Sequence, residues 1–196
     1  MKIAPVLAKI VRILTIPPLL ALLLVLYLYF GAEGYFGNIY ELVIVSICIV
    51  IVPTLGYPLC FAVPKLRAGG RETERKMAFI MTGLGYALLL VPTLLCGFSK
   101  QLKIVCITYV LSVIILMFFN KVIKLKASGH ACGVFGPLLI FVYVGGAPML
   151  VPCLAVLALM AWSSLRLGRH TPKELVLGGC CSAAALVITA TVFKFI

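Results

Sequence analysis

Leu175–Phe193 reads LVLGGCCSAAALVITATVF, a run of nineteen residues without a charge. At 1.5 Å of rise per residue, a helix of that length covers roughly 28 Å, about the hydrocarbon thickness of a bilayer. Uncharged runs of the same kind recur at 13–30, 42–63, 77–98, 104–119, 131–144 and 149–165. Seven spans result. The fourth to sixth are short, and only Gly145, Gly146, Ala147 and Pro148 part the fifth from the sixth, so a fused or re-entrant pair there is the alternative. Composition points the same way: of 196 residues, 64% are apolar and 11% charged. A soluble domain is about half apolar and a quarter charged, so this chain has too little polar material to face water all round. The expected fold is an all-α integral membrane protein, one transmembrane domain over 1–196, built as a bundle of six to seven helices.

The first run has no small-x-small cleavage site, and Gly31-Ala32-Glu33-Gly34 leads into further apolar runs, so it reads as a retained helix. Eight cysteines all fall in apolar segments without a Cys-x-x-Cys pair. Buried thiols behave as small hydrophobes, which leaves neither a disulfide framework nor a metal site as the expectation. Prolines inside the runs (Pro17-Pro18, Pro53, Pro58, Pro92, Pro137 and Pro152) predict kinks whose freed backbone groups neighbouring helices must satisfy.

The net charge of +12 is unevenly placed. With seven spans, one side collects Lys2, Lys9, Arg12, Lys65, Arg67, Arg71, Arg75, Lys76, Lys121, Lys124, Lys126, Arg166, Arg169 and Lys173. The other collects Lys100, Lys103 and Lys194. Such a bias marks the basic side, with the N-terminus, as cytoplasmic. Cations recruited to hold phosphate would produce the same bias. With so little exposed sequence, nucleic acid is the poorest partner for this charge, and membrane lipid the natural one. The longest polar stretch, Pro64–Lys76, reads as a solvated connector.

Two histidines, His130 and His170, stand where polar loops enter apolar runs on that basic side. Ionisable residues at such depths usually face a cavity or a partner. Before the first lie Lys121, Lys124 and Lys126, then Ser128 and Gly129. Ser128 fits an N-cap, leaving first-turn N–H groups for an anion, and Gly129 lets a phosphate oxygen approach the backbone. A capped helix with lysines reaching to lipid headgroups explains the same residues. Around the second, Thr171-Pro172-Lys173-Glu174 reads as a capping box with proline in the first turn. A carboxylate four residues after a histidine also accepts its Nδ1–H and leaves Nε2 as a nucleophile. Glu174 fits either task, or both.

Ser128-Gly129-His130, followed forty residues later by Gly168-x-His170-x-x-x-Glu174, resembles the second and third motifs of the type-2 phosphatidic acid phosphatases. That family is a membrane bundle related to the vanadium haloperoxidases. Its second motif is Pro-Ser-Gly-His; its third is Ser-Arg, five residues, His, three residues, Asp. The resemblance implies a lipid phosphatase that uses no metal and no cofactor. His170 would be the nucleophile, Glu174 its orienting partner and His130 the general acid, with Lys126, Ser128, Gly129 and nearby cations holding the phosphoryl oxygens. Ala127 and Glu174 are mild departures from the pattern. Ser164 stands where the third motif has arginine, while Arg166 lies four before His170, and the first motif is absent. Lys121, Lys124 or Lys126, or Arg71 and Arg75 from the earlier loop, are the candidate substitutes. Some short bacterial members pair Arg-x-x-x-Arg with Lys-x-Ser-x-His, which Arg71, Arg75, Lys126, Ser128 and His130 resemble; a bacterial or archaeal plasma membrane is the localisation this resemblance implies. The implied substrate is a lipid phosphate monoester or diphosphate such as phosphatidic acid, phosphatidylglycerophosphate or a polyprenyl diphosphate. Two other readings stay open: a carrier or flippase binding phospholipid headgroups in the same cationic cleft, and a structural subunit with incidental histidines. Oligomeric state is not legible.

Overall fold

The computed structural model describes residues 3–195, which are mostly helical with no strand among them. Lys2, counted on the basic side, lies outside them. The helices are α1 (Ile3–Leu14), α2 (Pro17–Phe30), α3 (Ile39–Thr54), α4 (Gly56–Ala62), α5 (Pro64–Ala68), α6 (Gly70–Leu95), α7 (Lys100–Val122), α8 (Gly129–Gly145), α9 (Ala147–Arg166) and α10 (Pro172–Phe195). Four of them, α6, α7, α9 and α10, are each long and apolar enough to cross a membrane. The count becomes six if the bent pairs α1–α2 and α3–α4 are each one span, and α8 is a further apolar helix of 17 residues. Large apolar side chains cover the outside, among them Phe30, Leu95 and Val151, each more than 70% exposed. Water would not tolerate a surface of that kind, and lipid does. The chain is an all-α integral membrane bundle.

Two sequence expectations need correction. The first apolar run does not start one helix at residue 13. Pro17 and Pro18 cannot continue α1, so α2 restarts on them, and the two axes bend by 45°. Pro64–Lys76 is solvated as expected but is not irregular: α5 and the exposed first turns of α6 occupy it, with Glu72 and Lys76 paired one turn apart at 2.8 Å. Pro92, Pro137 and Pro152 lie inside helices that continue through them. A second sharp change of direction, also expected from proline, follows Pro53, where α3 and α4 meet at 40° and the preceding turn, Ile47–Ile51, is widened to a π-helix. The fifth and sixth runs are not fused. Gly146, at φ 67°, turns the chain so that α8 and α9 pack side by side.

α7 and α10 pack with α8 through the middle of the bundle. Leu102, Val105, Tyr109 and Leu116 of α7 are buried, as are Ser182, Ala185 and Thr189 of α10. Hydroxyls in this apolar interior donate to carbonyls of their own helix, Thr93 to Leu89 at 2.7 Å and Thr108 to Ile104 at 2.7 Å. Six of the eight cysteines are buried free thiols, and Cys132 contacts the Ser182 hydroxyl at 3.1 Å. One glycine sets the spacing that matters below. A Cβ on Gly178 of α10 would collide with the Ser128 carbonyl oxygen and lie 3.1 Å from the Cys132 nitrogen. Its bareness lets the start of α10 lie against the start of α8.

Candidate functional site

Four helix ends converge at the basic end of the bundle. Ser128 caps α8 as expected, its hydroxyl accepting from Ala131 N–H at 3.1 Å. Asn120 fastens the approach to that cap, accepting from Ala127 N–H at 3.1 Å and donating to the Ala127 carbonyl at 3.2 Å. On the other side, α9 ends in a Schellman turn. Gly168 has φ 60°, Arg169 N–H reaches the Ser164 carbonyl at 3.0 Å, and Gly168 N–H reaches Leu165 at 3.0 Å. His170 follows directly, and Thr171 then caps α10 by accepting from Glu174 N–H at 3.3 Å.

The two starts are joined through one residue. Ser128 N–H donates to the Glu174 backbone carbonyl at 2.9 Å. Lys126 Nζ pairs with Glu174 Oε1 at 3.0 Å. His170 Nδ1 lies 2.8 Å from Glu174 Oε2. Thr171 therefore completes its half of the capping box, while the glutamate carboxylate is taken by a histidine and by a lysine from another helix start. Of the two tasks open to Glu174 in the sequence, its carboxylate takes up the orienting of His170 and not the capping. The side chains of His170 and Glu174 are each only 11% exposed, whereas that of Lys126 is 65% exposed. A mostly buried carboxylate with two donors is well compensated; the lysine arm is solvent-screened and contributes little by itself.

His170 sits outside the spans, and its environment has a sign. Burial lowers its pKa, the hydrogen bond that its Nδ1–H donates to Glu174 opposes this, and the Arg12 and Arg75 guanidiniums lower it again. The net direction is down, so the ring is neutral at neutral pH. With Nδ1 turned to a carboxylate, the proton belongs there and the lone pair belongs on Nε2. His130 presents the complementary oddity: its Nε2 is closed to solvent and has no hydrogen-bond partner. Leaving a polar atom so costs about 1–3 kcal/mol.

The remaining sequence candidates separate. Gly129 is exposed, and a Cβ there would touch only Leu116 Cδ2 at 3.6 Å, so packing does not demand a glycine. Arg75, exposed on the first turns of α6, is close enough to act on His170. Arg166, Arg71 and Lys121 are exposed and form none of the ion pairs among the described residues. Ser164, where the resemblance expects an arginine, is fully buried and accepts a hydrogen bond from Arg12 Nη1 at 3.1 Å. Sequence reading left Arg12 among the topological charges. The available signal was helical spacing: Ala8 and Arg12 of α1, with Thr15 just beyond its end, fall on one face, the face on which Ala8 and Thr15 are buried. No group of three or more His, Cys, Asp or Glu side chains that could hold a metal is found among the described residues. No protein-family model, curated protein or solved structure matches this chain.

Proposed function

We propose that this end of the bundle is the active site of a phosphatase acting on a lipid phosphate monoester or diphosphate. The observation that carries the reading is the Glu174 bridge, which orients a neutral His170 at 2.8 Å while its own carbonyl holds the start of α8 at 2.9 Å. A cleft that merely binds headgroups needs cations, not an imidazole held in one tautomer; this favours the enzyme over a carrier.

His170 Nε2 attacks phosphorus and forms an N–P bond as the P–O bond to the lipid breaks. His130 passes a proton, brought by a monoanionic phosphate ester, to the departing alkoxide. A water molecule, deprotonated by His130, then cleaves the phosphohistidine; the inorganic phosphate leaves with the proton from His130, which restores both rings. Ser128, the open backbone at Gly129, Lys126 and Arg75 surround the equatorial oxygens, where positive groups stabilise the transition state. Because His130 Nε2 is closed in this arrangement, neighbouring side chains must part as the phosphoryl group enters. With the site at the end of the spans, a tail stays in lipid while the headgroup reaches the histidines. The basic bias around it supports a cytoplasmic face for the site and the N-terminus, and the resemblance supports a bacterial or archaeal plasma membrane.

The test is phosphate release by the purified protein from phosphatidic acid and from a polyprenyl diphosphate, with chelator present. Vanadate-sensitive release that His170→Ala abolishes is expected. A His170→Ala protein as active as the wild type refutes the assignment.

A further inference from the structure

We infer that Arg12, carried on α1, is a phosphoryl-gripping residue of this site; the inference rests on the phosphatase reading and extends it to a helix outside the motif region.

The placement is specific. α1 turns Val6, Ile10 and Ile13 outward, each 48% exposed or more, and buries Ala8 completely and Thr15 nearly so. Arg12 lies one turn after Ala8, on the face that meets α9 rather than the face that meets lipid. An arginine serving only as a headgroup anchor would extend from the lipid-facing stripe and reach outward. Here the guanidinium is half-buried, and its Nη1 donates to a fully buried serine hydroxyl at 3.1 Å.

The charge balance is specific too. A guanidinium carries five N–H donors and cannot shed its charge. The hydrogen bonds found for Arg12 use one of them, and none of the ion pairs among the described residues includes it. The chain has five carboxylates: Glu33, Glu41, Glu72, Glu74 and Glu174. Glu174 is already engaged by Lys126 and His170, and Glu72 by Lys76. Two arginines, Arg12 and Arg75, thus act on His170 beside a single carboxylate, and the unpartnered Nε2 of His130 lies closed within the same end. A cluster so short of negative charge lacks an anion with several acceptor oxygens. A phosphoryl group has that shape, and the planar fork of arginine engages two of its oxygens at once.

The experiment uses the full chain in nanodiscs and reads kcat/KM for phosphate release together with inhibition by orthovanadate. The Arg12→Ala and Arg12→Lys variants are compared with wild type, with and without free guanidinium ion. Arg12→Ala is expected to lose about 100-fold or more in kcat/KM and to weaken vanadate inhibition in parallel. Arg12→Lys, which keeps the charge but not the fork, is expected to stay about 10-fold or more below wild type. Free guanidinium is expected to restore part of the Arg12→Ala loss, which a purely structural defect would not allow. If Arg12→Lys equals wild type, Arg12 is a charge anchor and the inference fails. If guanidinium rescues nothing, or Arg12→Ala stays within two-fold of wild type, it fails as well. Those failures leave the phosphatase reading standing. A wild-type protein that releases no phosphate and binds no vanadate overturns both.

Discussion

Two helix starts in this chain carry a glutamate at the same place and use it differently. At the start of α3, Asn38 caps by accepting from Glu41 N–H at 3.1 Å, and Glu41 turns back to accept from Gly37 N–H at 2.8 Å. Every bond closes within four residues. At the start of α10, Thr171 accepts from Glu174 N–H at 3.3 Å, but the carboxylate leaves the box for His170 and for Lys126 of another helix approach. The first start is a local structural device. The second has given half of that device to a long-range network, which costs local stability and is reasonable only where the network does something else. The two differ because a histidine precedes Thr171 and because bare Gly178 lets α8 approach.

Breaking that contrast at its centre is expected to have the largest effect. His170→Ala should lower phosphate release by at least about 1,000-fold while the helical circular dichroism of the detergent-purified protein stays unchanged. Glu174→Gln keeps an oxygen for Lys126 but frees the His170 tautomer, and a fall of about 100-fold or more in kcat is expected. The equivalent Glu41→Gln, which keeps an oxygen for Gly37 N–H, should leave kcat alone and lower thermal stability by less than about 1 kcal/mol. Equal losses from the two substitutions would erase the distinction.

The pH dependence sharpens it further. His170 must be neutral to attack, and its pKa is lowered, first by burial and then by Arg12 and Arg75 against the opposing pull of Glu174. The acid limb of kcat/KM should therefore fall below the ordinary imidazole value of about 6.5. Glu174→Gln removes the group that raises the pKa, so the residual activity should hold to still lower pH. Arg75→Gln removes a group that lowers it, so the limb should move up. Opposite shifts in a pH–rate profile would contradict the arrangement.

Spacing and remote charges should give the smaller effects. Gly178→Ala drives a methyl into the Ser128 carbonyl, and a destabilisation of about 1–3 kcal/mol with reduced activity is expected from thermal unfolding and assay together. At the far end of the bundle, Lys100→Gln or Lys194→Gln should change activity by less than two-fold.

Much of this was legible in the sequence, and the reasons for the rest are local. Uncharged runs long enough to cross lipid disclose a membrane bundle because the bilayer imposes one length and one polarity on every span. Ser128 and Thr171 disclose their helix starts because caps are written in adjacent residues. The helix in Pro64–Lys76 was hidden because its support is an exposed i,i+4 pair and not an apolar stripe. The partners of Glu174 were hidden too: a capping box and a histidine orienter share the same spacing, and only the packing of α8 on α10 chooses between them. Arg12 was read as topology because its burial depends on α9, over 150 residues away.

Everything rests on His170 becoming phosphorylated, and the most direct measurement is to trap that bond. Wild-type protein in nanodiscs would be mixed with phosphatidic acid labelled at the phosphate and quenched in alkali, where an N–P bond survives, and its peptides would then be mapped by mass spectrometry. The account predicts label on the peptide containing His170, lost with His170→Ala and with vanadate. Phosphate release without label there, or label unaffected by that substitution, would contradict it.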